Sequence, residues 1–348
     1  MSNKSMINNF SELIQFTGLP QVNNIRELLR SNDDCYKLII QFFNIQDEDS
    51  KEFSRAQHTV LAFLLGHYFA SISNIDKKIE EYFSSINKTD RKLDFIYLWF
   101  LTSYLHDLAF LKEKDVNPDL HFDLSEIFRD EVYLYDYSLY KYFRLDLRFN
   151  EILYKRYYEY SVLHKTIDHG IIGGNMIFQQ FKNNLINAYI KEKEKDKNVT
   201  IDNFNHNDLF FSIYQLDIYR DIAFTIMNHN IRRINNLQIV NQFALYELTE
   251  ANYPKVNFDK DPLLFLLCLI DIVNPLNFIE VDKYSIEHVL YALTNVFVEV
   301  GEKSLVIYLF KLDYLKCIDK WKERLKNASD ILDITVEEKY NNHVVIYW

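Results

Sequence analysis

Along the first 280 residues, apolar positions recur every three to four residues more often than every second one, so this stretch predicts helices. Short helices are expected up to about residue 44, followed by the acidic break "QDEDSKE". A long helix is predicted from near Phe53, with His58, Leu61, Ala62, Leu65 and Phe69 along one side. Residues 95–111, "FIYLWFLTSYLHDLAFL", predict a core helix with His106 and Asp107 set inside it. A Tyr-rich, mixed-charge region follows, "YLYDYSLYKYFRLDLRFNEILYKRYYEY". "HKTIDHGIIGGNMIF" then leads into a helix that runs out in the solvated charge run "KEKEKDKN". Further helices are expected over 208–230, 241–250 and 262–274.

The pattern changes near residue 281. "NVFVEVGEKSLVIYLF" and "DITVEEKYNNHVVIYW" alternate like strand pairs, with turns at Gly-Glu and Asn-Asn, and "LDYLKCIDKWKERLKN" between them is helical in spacing. The expected class is mainly α: a helical body over 1–280 with a small α+β appendage over 281–348. No internal repeat or low-complexity linker interrupts it.

Composition narrows the choices. The 348 residues, 48% of them hydrophobic, suffice for a large core, and 6 glycines and 5 prolines are too few for a turn-dense all-β fold. A formal net charge of -11 gives no electrostatic reason to expect duplex nucleic acid or an anionic membrane as partner. Cys35, Cys268 and Cys317 form no CxxC pair, which argues against a thiolate zinc site and fits a reducing cytosol. The start, "MSNKSMINNFSEL", lacks the pattern of a secretory signal. The two longest apolar runs, 95–111 and 262–279, each carry an Asp near the middle, where a spanning helix would resist it most. A cytoplasmic protein is expected.

Those two acids are the first sign of chemistry. Asp107 and Asp271 are the lone carboxylates in oily segments, and an ionised carboxylate out of water needs a partner or a metal. A divalent cation held by both would meet that need, with histidines as co-ligands. His58 lies on an apolar helix side, His106 precedes Asp107, His169 sits in "DHGIIGG", and His229 ends a helix at "IMNHNIRR". Gly170, Gly173 and Gly174 would let another helix approach closely. The plainer alternative is a pairing of each Asp with an Arg or Lys from elsewhere, with His169 as a helix cap and His229 favoured by a helix dipole. His67 falls on the other side of its helix from His58 and is expected to be structural. His164 and Asp168 flank the motif as candidate ligand-orienting groups.

The ordered set His58, His106-Asp107, His169, His229, Asp271 resembles the HD-domain superfamily of metal-dependent phosphohydrolases. The resemblance covers roughly residues 50–275 and implies an HD-type helical bundle. It implies one metal held by His58, His106, Asp107 and Asp271, with Asp107 bridging to a second bound also by His169 and His229. His106 and Asp107 would form the catalytic doublet. Two ions about 3.5–4 Å apart supply hydroxide at neutral pH and clamp the oxygens of a phosphoester. The mixed ligands suit Mn, Fe, Co or Ni, and Mg at a carboxylate-rich end. The chain departs from the pattern after the doublet, reading "HDLAF" where many members continue with Gly and then His or Lys.

Phosphate recognition needs cations as well. Lys165, Arg232 and Arg233 lie near the motif residues, and Lys141, Arg144, Arg148, Lys155 and Arg156 lie in the Tyr-rich region, a candidate substrate wall. Three functions compete: hydrolysis of a nucleotide or related small phosphoester, a nucleotide- or metal-binding regulatory module without turnover, and a helical interaction protein. The sequence leaves the oligomeric state open.

Overall fold

The computed structural model describes residues 51–86, 94–107, 109, 151–163, 169–199, 213–274, 296–301, 303–309, 318–339 and 343–348. In chain order the elements are α1 (Lys51–Ser73), α2 (Ile75–Ile86), α3 (Phe95–Leu105), α4 (Glu151–Leu163), α5 (His169–Lys195), α6 (Ile213–Asn228), α7 (Leu237–Phe243) and α8 (Pro262–Val273). The tail adds β1 (Val296–Val300), β2 (Ser304–Leu309), α9 (Ile318–Ala328), β3 (Thr335–Lys339) and β4 (His343–Tyr347). The protein is thus mainly helical, with a small antiparallel sheet toward its C-terminus. The helices expected before residue 44 lie outside the described residues. None of the described helices is long and apolar enough to cross a membrane.

The described elements divide into two compact units. The first holds α1, α2 as far as Ile79, α3 as far as Tyr104, α8, the sheet and α9. Its core is built where α1 meets α3 and α8. Trp99 is fully buried, and its Nε1–H donates to the Phe63 carbonyl at 2.8 Å, satisfying the one polar atom of a large apolar side chain. Gly66 makes the fit possible: a Cβ there would collide with the Trp99 ring. Every residue of α8 except Asp271 is buried, and Pro262 starts the helix where its missing N–H costs nothing.

The sheet has the order β1-β2-β4-β3, with Val306 opposite Val345 and Glu338 opposite Val344. Both tail hairpins match the expected strand pairs. The sheet is tied to the helices by Trp348, whose ring lies 5.1 Å from Phe69, 5.8 Å from Phe258 and 6.2 Å from Phe265.

The second unit holds the rest of α2, the residues from Leu105, and α4 to α7. Its tightest contact joins α5 to α6. A Cβ on Gly174 would sit 2.5 Å from the Ala223 carbonyl oxygen, so only glycine allows α6 so near. Tyr154, Tyr158, Ile171 and Met227 fill the core beside it.

Two expected helices end differently. The helix over 95–111 stops at Leu105, and His106 and Asp107 form the turn after it. In its last turns Thr102 and Ser103 donate to the carbonyls of Leu98 and Trp99, a local bond that bends and weakens a helix. The helix placed over 241–250 starts earlier, because Asn236 caps it by accepting from the N–H groups of Gln238 and Ile239. It ends at Ala244, which takes a left-handed φ of 53°, and a 3-10 turn over Tyr246–Leu248 follows.

Candidate metal centre

In the second unit, four of the expected ligands come together. Asp107 is 2% exposed, in the turn after α3, and its Oδ1 lies 3.1 Å from Nε2 of His169 and 3.6 Å from Nε2 of His106. His169 opens α5, and Gly173, one turn on, lies 3.5 Å (from its ideal Cβ position) from Ala109, an ordinary contact that seats α5 beside the doublet. His229 follows the last turn of α6, with its ring 5.5 Å from that of His106 and 5.3 Å from that of His169. Asp107, His169 and His229 each present a ligand atom within 4.8 Å of the others. Ligands bound at about 2.1 Å on opposite sides of one ion stand roughly 4 Å apart, so the three are spaced closely enough to be candidates for one cation.

The local chemistry suits that role. Nδ1 of His229 sits 2.6 Å from the Ile226 carbonyl, which only an N–H can face, so Nε2 keeps its lone pair. His169 presents Nε2 both to Asp107 and to the side-chain amide of Asn230, 2.9 Å away. A neutral ring nitrogen holds either a proton or a lone pair. Either the amide turns its oxygen to an Nε2–H, or a cation takes the lone pair and lies against the carboxylate. These buried His and Asp side chains can hold a metal ion.

The segment that carries His229 is clamped from α4. Tyr154 shares hydrogen bonds with Asn228, Tyr157 donates to the Asn230 carbonyl at 3.3 Å, and the Arg232 N–H donates to the Tyr157 hydroxyl. The Tyr-rich stretch was expected to wall the substrate. In its described part the buried Tyr154 and Tyr157 brace the segment that carries His229 through bonds to backbone and amide groups, and the stretch before residue 151 lies outside the described residues. Arg156 donates to the Ala244 carbonyl at 3.1 Å. Arg232 is exposed and Arg233 half-buried. Lys141, Arg144, Arg148, His164, Lys165 and Asp168 lie outside the described residues, as do Cys35 and Cys317.

In the first unit, His58 and Asp271 form a second pair. His58 is 2% exposed on α1, and its Nε2 lies 3.1 Å from Oδ1 of Asp271 on α8. Asn274, just past the end of α8, donates to the His58 carbonyl at 3.1 Å and fixes the helix end to α1. Asp271 is not sealed in: its side chain is 18% exposed, and its Oδ2 accepts from Nη2 of Arg324 at 3.3 Å. The basic partner that the sequence could not supply from the apolar run comes from α9.

Two adjacent ligands held at about 2.1 Å from one ion stand roughly 3.0–3.4 Å apart. The pairs His58–Asp271 and His169–Asp107 both fall in that range. His67, expected to be structural, is buried with its ring stacked 6.0 Å from Phe95. Asn230, Tyr154, Tyr157 and Arg324 were not singled out by sequence. Asn230 adjoins a candidate ligand in "NHN", whereas Arg324 lies in a charged helix with no local sign of its target. Compared with protein-family models, curated proteins and solved structures, the chain has no significant match.

Proposed function

We propose that this protein is a cytosolic, metal-dependent phosphohydrolase or phosphodiesterase of the HD type, acting on a nucleotide or related small phosphoester. The observation that carries the reading is a buried carboxylate, Asp107, placed between His106 and His169, with His229 beside them. The resemblance assigns His58, His106, Asp107 and Asp271 to one ion. Of these, His58 and Asp271 are a pair within the first unit, and His106 and Asp107 belong to the second. His169 and His229 are assigned to the other ion, with Asp107 shared.

The bound metal, one or two ions of Mn, Fe, Co, Ni or Mg, would supply an acidified water and a clamp on phosphoryl oxygens. The chain's own part is orientation. Ile226 sets the tautomer of His229, and the apolar surroundings of Asp107 keep bulk water away. Arg232 and Arg233, together with Lys165, Arg144 and Arg148, are the side chains proposed to meet the substrate phosphate.

The test is elemental analysis of protein purified without chelator, followed by assays with Mn and a panel of nucleotides and generic phosphoesters. Turnover that Asp107→Ala abolishes supports the proposal. Protein that holds no metal and cleaves nothing with any added divalent ion overturns it.

One observation favours a second reading, a metal- or nucleotide-binding regulatory module. Ala109, two residues past the doublet, is fully buried against Gly173, so the departure from the family pattern fills core space rather than facing a ligand. Nucleotide-dependent stabilisation with no hydrolysis would select this alternative.

A further inference from the structure

We infer that Arg324 is a positioning residue for Asp271, which gives the C-terminal region a part in metal binding. The inference rests on the metal-dependent reading above. Asp271 uses its two oxygens differently: Oδ1 faces Nε2 of His58 at 3.1 Å, and Oδ2 faces Nη2 of Arg324 at 3.3 Å. A partner on one carboxylate oxygen restricts rotation of the side chain and so sets where the other oxygen points. The guanidinium fixes Oδ2 and thereby leaves Oδ1 aimed at the histidine, as groups behind metal ligands do.

Arg324 is itself held in place. Its neighbour Leu325 and Ala328 are buried where α9 packs on α8, and Lys322 and Lys326 on the same helix pair with Glu338 of β3. The sheet therefore anchors the helix whose arginine reaches Asp271. Arg324 is 42% exposed, and exposed ion pairs add little to stability. Its removal should be felt in metal binding and hardly at all in folding.

The experiment is a calorimetric titration of the full metal-free chain with Mn2+, with melting temperatures of the metal-free variants taken alongside. Arg324→Ala should weaken binding about tenfold, the lower end for an orienting partner, at an unchanged metal-free melting temperature. Arg324→Lys should recover most of the loss, and Asn327→Ala, a change at an exposed position of the same helix, should bind as the wild type does. Wild-type binding with Arg324→Ala equal or tighter overturns the positioning role alone, as does a loss in Asn327→Ala matching that in Arg324→Ala. A wild-type chain that binds no Mn2+ overturns both this inference and the metal-dependent reading.

Discussion

Nδ1 of His229 is held by the carbonyl of Ile226, 2.6 Å away in the last turn of α6. A neutral ring is thereby committed to one tautomer, in which Nε2 is the nitrogen that could take a metal. The expected outcome for His229→Ala is loss of metal from the second unit. Metal content should fall while far-UV circular dichroism is retained, and affinity should drop more than the roughly 10–100-fold typical of an outer partner. Unchanged metal content in this variant would remove His229 from the ligand set.

The two adjacent glycines of α5 should respond oppositely to alanine. Gly174→Ala drives a methyl into the Ala223 carbonyl of α6 and should destabilise by about 1–3 kcal/mol. At Gly173 the same methyl meets Ala109 at an ordinary 3.5 Å, and the helix gains up to about 1 kcal/mol in propensity. Urea denaturation of the pair measures the difference. Equal effects would mean that α5 and α6 do not meet at Gly174.

Trp99→Phe keeps most of the buried ring and deletes the hydrogen bond to Phe63. The lost bond and the smaller side chain should together cost about 1–3 kcal/mol. Gly66→Ala in the Trp99→Phe background should be milder than in the wild type, because the ring that excludes the methyl is smaller. A thermodynamic cycle of the two changes reports the coupling.

Acid should weaken the contact between α9 and β3. The hydrogen bond from Lys322, assisted by its charge and that of Lys326, holds the Glu338 carboxyl below its ordinary value of 4.5. A carboxyl lowered on folding stabilises the native state above its unfolded pKa and loses that contribution as pH falls through the folded one. The melting temperatures of wild type and Lys322→Ala should thus differ at neutral pH and converge as the pH falls below 4.5 and through the lowered value.

The elements with a strong period were legible in the sequence: α1, α8, both tail hairpins and α9 fall where the spacing places them. The differences lie at boundaries that apolar spacing does not mark. Apolarity alone continues α3 through the doublet, whereas the chain turns at His106 and Asp107. At α7 the Asn236 cap sets the start. The candidate ligands stood out because an acid in an apolar run is costly and conspicuous. Their supports did not, because Tyr154 and Arg324 act through contacts distant in sequence, and many tyrosines and arginines share their surroundings.

Among the described residues, β3 is an outer strand of the sheet, and Thr335, Glu337, Glu338 and Lys339 hold most of its length open to solvent or nearly so. A strand from another molecule seeking to extend the sheet would have to bring its own backbone alongside consecutive charges. The buried Val344, Val345 and Ile346 of β4 are screened from such an approach by one polar neighbour. The composition of that strand therefore guards this edge of the sheet against intermolecular growth.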